Sequence, residues 1–148
     1  MSESEPQAAH QGAASTAAAT AAPVVLSAAR WFWWIAGLSL INTVLMHTGS
    51  NINFVLGLGV TAVSDAVFAG NPLVGYAIDA VALGFFYLMG VQARHGRLWA
   101  FYLGGTVYAL DALVYVRFQD WMPVAFHAFV IYFIARGVMF LRRAPQAT

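Results

Sequence analysis

One aspartate, Asp111, lies in the middle of an apolar run long enough to form a membrane-spanning helix, residues 98–117. An ionisable group in hydrocarbon is costly, so it normally faces a protein interior or a wet cavity and often marks a functional site. Asp111 therefore requires hydrogen-bonding partners from other parts of the chain.

The composition indicates an integral membrane protein. Of the 148 residues, 61% are hydrophobic and only 9% are charged, against roughly 25% charged residues in a soluble domain. There is no cysteine, which excludes disulfides and thiolate metal sites. The seven basic residues are all arginines near the ends of apolar runs, so we expect no nucleic-acid partner.

Four apolar runs predict an all-α membrane protein with four transmembrane helices. They cover about 28–47, 73–92, 98–117 and 123–141. About 20 helical residues, at roughly 1.5 Å each, cross a bilayer core of about 30 Å. We divide the chain into a disordered N-terminal tail (1–27), a transmembrane bundle (28–143) and a short C-terminal tail (144–148). The N-terminal tail is rich in Ala, Ser and Thr and poor in large apolar residues, which is typical of disorder.

The segment 49–70 differs from these four runs. Its strongly apolar part is short, and Gly57 and Gly59 interrupt it, while asparagines and Asp65 flank it. This pattern favours a re-entrant or interfacial helix between the first and second spans. A fifth crossing is the alternative.

The arginines give an orientation for each alternative. If 49–70 does not cross, five arginines share one side (Arg30, Arg94, Arg97, Arg142 and Arg143) and only Arg117 lies opposite. The positive-inside rule then places both termini in the cytoplasm. If the segment crosses, the split is four to two and the N-terminus lies outside.

Polar residues of the predicted spans fall at a similar depth. Asp79 is six residues into the second span, Asp111 is six residues before Arg117, and His127 is five residues after Met122. At about 1.5 Å per residue, each lies about 7–9 Å from the same membrane face. Five further side chains are predicted to support this layer: Asn42, Asp65, Tyr76, Tyr108 and Tyr115.

Two interpretations of Asp79, Asp111 and His127 remain open. Carboxylates and an imidazole suit iron, manganese or zinc, which could activate a bound water, or they could pass a proton. No compact ligand motif such as HExxH is present. The alternative is a hydrogen-bonded network that ties the helices together.

Arg136 lies nine residues after His127, about 13 Å deeper in the same helix. It cannot join the polar layer. We expect its guanidinium to reach the cytoplasmic surface, or to contact an anionic lipid or a partner subunit.

Several short motifs resemble a family of small bacterial polytopic membrane proteins that are described as uncharacterised. They are Gly57-Leu-Gly-Val-Thr61, Asp65-Ala66, Tyr108-Ala-Leu-Asp111, Asp120-Trp121 and Phe126-His127. The resemblance covers residues 31–140 and implies no activity.

Three functions are compatible with the sequence. The first is a structural or accessory membrane protein that contacts lipids and forms a homo-oligomer or joins a larger complex. The second is a metal-dependent or acid–base enzyme that uses Asp79, Asp111 and His127. The third is a proton- or cation-coupled carrier or channel, against which four spans and the lack of an inverted repeat argue.

Overall fold

The computed structural model describes residues 10–15, 18, 22–48 and 57–143. From residue 22 onward, the described chain forms five helices. They are α1 (Pro23–His47), α2 (Gly59–Val67), α3 (Pro72–Arg94), α4 (Leu98–Arg117) and α5 (Trp121–Arg143).

Four of these helices, α1, α3, α4 and α5, are long and apolar enough to cross a membrane. The predicted all-helical membrane fold with four spans is confirmed at this level. α1 begins at Pro23, five residues earlier than predicted, because Val25, Ala28 and Ala29 pack into the core. Within the predicted tail, residues 10–15 are helical, and its other residues before Ala22, apart from residue 18, lie outside the described part of the chain.

Local sequence explains where the helices begin and end. Pro23 and Pro72 each occupy the first turn of a helix, where the missing N–H of proline removes no helical hydrogen bond. Gly96 adopts a positive φ of 70° in the turn between α3 and α4, a conformation that glycine reaches without strain. Gln119 takes the same role between α4 and α5, with φ 58°.

The four long helices form a bundle in which α1 packs against α3 and α5, and α4 packs against the same two helices. α1 and α4 end, and α3 and α5 begin, at one end of this bundle. α2 packs there against α1, α3 and α4, and we call it the α2 end.

Aromatic side chains fill the bundle towards the opposite end. The ring of Phe32 lies 6.4 Å from that of Phe86 and 6.0 Å from that of Phe101. A Cβ atom at Gly104 would lie 2.5 Å from the Phe32 ring, so a glycine is needed for this close packing.

The short helix α2 lies within the segment that was predicted to be re-entrant or interfacial. It has nine residues and is about 14 Å long, so it is too short to cross a bilayer core. Residues 49–56 lie outside the described part of the chain, and the re-entrant path of 49–70 stays a prediction.

Candidate functional site

The carboxylate of Asp111, on α4, binds the N-terminus of α2. Its Oδ2 accepts a hydrogen bond of 2.7 Å from the Gly59 N–H, and its Oδ1 accepts one of 2.8 Å from the Val60 N–H. Leu58 precedes α2, and its apolar side chain cannot accept a hydrogen bond from the first amides of the helix. A carboxylate from another helix therefore satisfies the first amides of α2 and lies at the positive end of its dipole.

His127, on α5, binds the same carboxylate. Its Nε2 lies 3.0 Å from Oδ2 of Asp111, and its Nδ1 lies 2.8 Å from the Pro123 carbonyl oxygen. A carbonyl oxygen only accepts, so Nδ1 must carry a hydrogen. One further proton lies between Nε2 and Oδ2, and the Asp111–His127 pair is therefore neutral as a whole. The two amide donors of α2 and the His127 ring thus all bind the one carboxyl group of Asp111.

Two tyrosines enclose the His127 ring. Tyr108 stacks on it with a centroid distance of 4.1 Å and an interplanar angle of 14°, and Tyr115 lies 5.5 Å away. These ring contacts hold the imidazole plane in the orientation that faces Asp111. The Tyr108 hydroxyl is buried and has no hydrogen-bond partner among the described residues.

Asp79, on α3, makes a separate set of bonds. Oδ2 lies 2.8 Å from the Thr43 hydroxyl on α1, and Oδ1 lies 3.0 Å from the Ser64 hydroxyl on α2. The residue is only 2% exposed. Asp79 thus connects α1, α2 and α3 through hydroxyl groups, whereas Asp111 connects α2, α4 and α5 through two helix amides and an imidazole.

Further bonds position the chain that enters α2. The Leu58 N–H donates to the Ser39 hydroxyl at 2.9 Å, and the Tyr115 hydroxyl donates to the Gly57 carbonyl at 2.9 Å. A Cβ atom at Gly59 would lie 2.9 Å from the Val114 Cβ. Glycine at this position lets the first turn of α2 reach the Asp111 carboxylate.

The structure places the predicted site residues in different surroundings. Asp111, His127, Tyr108 and Tyr115 form one cluster. Asn42 is buried, and a Cβ atom at Gly57 would lie 3.1 Å from its Cβ. Asp79 lies apart from this cluster, with its bonds to Thr43 and Ser64. Asp65 and Tyr76 line a pocket of about 380 Å³. The Arg136 guanidinium lies 6.0 Å from the Tyr132 ring.

The predicted metal-ligand set is not assembled as a group of three. No three His, Cys, Asp or Glu side chains come together as a metal site would require, within the residues that the structure describes. Asp111 and His127 are in contact, but the hydrogen bonds of Asp79 go to Thr43 and Ser64. The site instead resembles the second interpretation, a hydrogen-bonded network between helices.

Sequence reasoning missed the hydroxyl side chains and the amides of α2. Ser39, Thr43, Thr61 and Ser64 are all buried. One signal was available, because Ser39, Asn42 and Thr43 follow the i, i+3, i+4 spacing that places polar groups on one face of α1. The backbone amides that bind Asp111 could not be predicted from residue types, because every residue except proline carries an amide N–H.

An apolar groove of about 490 Å³ borders the cluster. Its walls come from α2, α3 and α4, and include Leu58, Val60, Phe86 and Val107. Among the described residues that line it, Asp111 alone is ionisable, and its oxygens already take part in three hydrogen bonds. The groove therefore offers a hydrophobic surface rather than a second polar site.

The chain matches no protein-family model, no curated protein and no solved structure. The family resemblance drawn from its short motifs stays a prediction.

We predict that Asp111→Asn destabilises the fold strongly. Asparagine has one acceptor oxygen, so its NH2 group would face an N–H of α2 or the His127 ring, and at least one of the present hydrogen bonds would be lost. Breaking a buried pair costs about 3–5 kcal/mol. The measurement is the thermal midpoint of the purified protein. It is the temperature at which half of the protein is no longer monodisperse after heating.

Asp120→Asn is the matched control, because Asp120 is exposed beside the start of α5. Its loss should cost about 0.3–1 kcal/mol through the helix dipole. Equal midpoints for the two variants would contradict the role assigned to Asp111.

Proposed function

We propose that this chain is a small structural or accessory membrane protein whose buried polar layer holds the short helix α2 in the bundle. The observation that supports this proposal is that the buried polar side chains form hydrogen bonds with α2. Asp111 binds the first amides of α2, Asp79 binds Ser64 of α2, and Ser39 binds the Leu58 N–H. Both buried carboxylates are thus used to attach α2 to its neighbours.

This use of the carboxylates counts against an enzyme. Asp111 is only 7% exposed and His127 is fully buried, and both side chains are committed to internal hydrogen bonds. A general acid or base needs a geometry in which it reaches the proton that it transfers. A metal site would need Asp79 to join the pair, and its bonds run elsewhere.

The distribution of polar groups counts against a carrier. The buried polar side chains of the described chain belong to α2 or to the halves of the long helices that are nearer to α2. The opposite half contains apolar side chains such as Phe32, Phe86 and Phe101. A path for protons or cations needs polar groups or water along its length, and the described residues offer these in one half only.

One helix surface supports assembly with a second copy or a larger complex. A groove of about 510 Å³ runs between α1 and α3 and is lined in part by Ala36, Gly37 and Gly84. Cβ atoms at Gly37 and Gly84 would meet nothing within 4 Å. Small residues on an exposed face allow another helix to approach closely in a membrane.

The proposed setting is a bacterial inner membrane with both termini in the cytoplasm. Five of the seven arginines lie near the end opposite α2, where they would contact anionic lipid headgroups. α2 would then enter and leave the membrane at the outer side as a re-entrant helix. The length of α2 and its packing against three spans support this path.

Cysteine labelling tests the re-entrant path, and the natural chain has no cysteine to interfere. Thr48→Cys and Gly70→Cys flank the segment, and His95→Cys lies in the turn at the opposite end. In intact cells, we expect a membrane-impermeant maleimide to label positions 48 and 70 but not 95. If the segment crosses with the N-terminus outside, position 70 alone should be labelled, and in the reverse orientation 48 and 95 should be labelled without 70.

Native mass spectrometry of the full chain, extracted with its surrounding lipid, tests the accessory role. We expect a species heavier than the 16.0 kDa chain with no stoichiometric metal by elemental analysis. Gly84→Leu should weaken this assembly by filling the groove between α1 and α3, whereas Leu103→Ala, at an exposed position of α4, should not. A monomer with a stoichiometric metal that Asp111→Asn removes would support the enzyme instead.

A further inference from the structure

The Trp33 side chain of α1 packs against the last turns of α3. Its indole stacks near the Tyr87 ring at a centroid distance of 6.1 Å, and its Nε1 donates to the Tyr87 carbonyl oxygen at 3.2 Å. A Cβ atom at Gly90 would overlap the indole. The guanidinium carbon of Arg94 lies over the same ring, 4.9 Å from its centroid. The contacts with α3 therefore fix the Trp33 ring, and the ring positions the guanidinium.

The guanidinium of Arg94 keeps its hydrogen-bond donors available. Arg94 is exposed and is the last residue of α3, at the depth where a span meets the lipid headgroups and where tryptophan is enriched. The indole face attracts this cation, but it offers no lone pair to the N–H donors of the guanidinium. No residue of the described chain accepts a hydrogen bond from these donors. A planar guanidinium of this kind binds a phosphate group through two parallel hydrogen bonds.

The described chain supplies no carboxylate near this guanidinium. All four of its acidic residues lie towards the α2 end, namely Asp65, Asp79, Asp111 and Asp120, while Glu3 and Glu5 lie outside the described ranges. The ion pair that these acidic residues form is between Asp111 and His127. Arg30 adds a second positive charge, because it is exposed and precedes Trp33 by one turn of α1. The surroundings of Trp33 are therefore cationic, and their counter-charge must come from outside this part of the chain.

We propose that Trp33 and Arg94 form a specific binding site for the phosphate group of an anionic phospholipid, with Arg30 as a second cationic contact. The N–H groups of Arg94 bind the phosphate oxygens, and the indole holds the guanidinium at headgroup depth. A zwitterionic headgroup binds less well, because its ammonium group would meet the charge of Arg30 and no described carboxylate. Trp33 also lines the groove between α1 and α3, but the lipid site does not require a second copy or a partner.

Lipid titration followed by native mass spectrometry tests this site. The full-length protein is freed of lipid in detergent and titrated with phosphatidylglycerol or phosphatidylcholine, and the Kd of the first bound lipid is measured for each oligomeric state. We expect phosphatidylglycerol to bind more tightly. Arg94→Gln should weaken its binding about tenfold, through the loss of charge-assisted hydrogen bonds. Arg143→Gln is the matched control, because it removes the same charge from an exposed position at the same end, and it should change the Kd by about twofold at most.

A second pair of variants tests the part played by the indole. Trp33→Leu keeps the charge of Arg94 but removes the ring, and it should also weaken the binding of phosphatidylglycerol, whereas Trp34→Leu, at an exposed position of α1, should not. If Trp33→Leu does not fold, the two arginine variants decide alone, because both side chains are exposed. Equal losses in the two arginine variants, equal affinities for the two lipids, or displacement of phosphatidylglycerol by inorganic phosphate would overturn the proposal.

Discussion

A buried carboxylate on one helix that caps another helix is the interaction on which the rest of this structure depends. Asp111 cannot remain in an apolar bundle without donors, and α2 cannot remain against that bundle with unsatisfied N-terminal amides. Each supplies what the other lacks at distances of 2.7 and 2.8 Å. His127 completes this arrangement and leaves the pair with Asp111 neutral as a whole.

The same constraint explains the division of the bundle into two halves. Close to α2, buried hydroxyls and carboxyls bind a short helix that hydrophobic contacts alone would hold weakly, because lipid is as apolar as the bundle. Towards the other end, long helices pack through phenylalanines and close-fitting glycines such as Gly104. A small chain thus combines an apolar half with a polar half that holds an additional element.

The sequence predicted the parts of this structure that depend on the cost of moving a group into hydrocarbon. The lengths of the four spans and the need of Asp111 for partners both follow from that cost, and the structure places His127 Nε2 3.0 Å from its carboxyl group. The division of the polar layer into two sets was not predictable in this way. The similar depths of Asp79 and Asp111 along their helices predicted that the two residues share one site. In the structure, the rotation of α3 and the position of α2 decide which donors each carboxyl group faces. Backbone amides, which carry no residue signature, proved to be the main partners of Asp111.

Hydrogen–deuterium exchange of the α2 amides tests most directly whether Asp111 holds this helix. In the wild-type protein, the Gly59 and Val60 amides should exchange slowly, because both donate to the buried carboxylate. In Asp111→Asn, these amides should lose more protection than the central amides of α3, α4 and α5, which lie far from the substituted carboxylate. Unchanged protection of Gly59 and Val60 in a folded variant would contradict this role for Asp111.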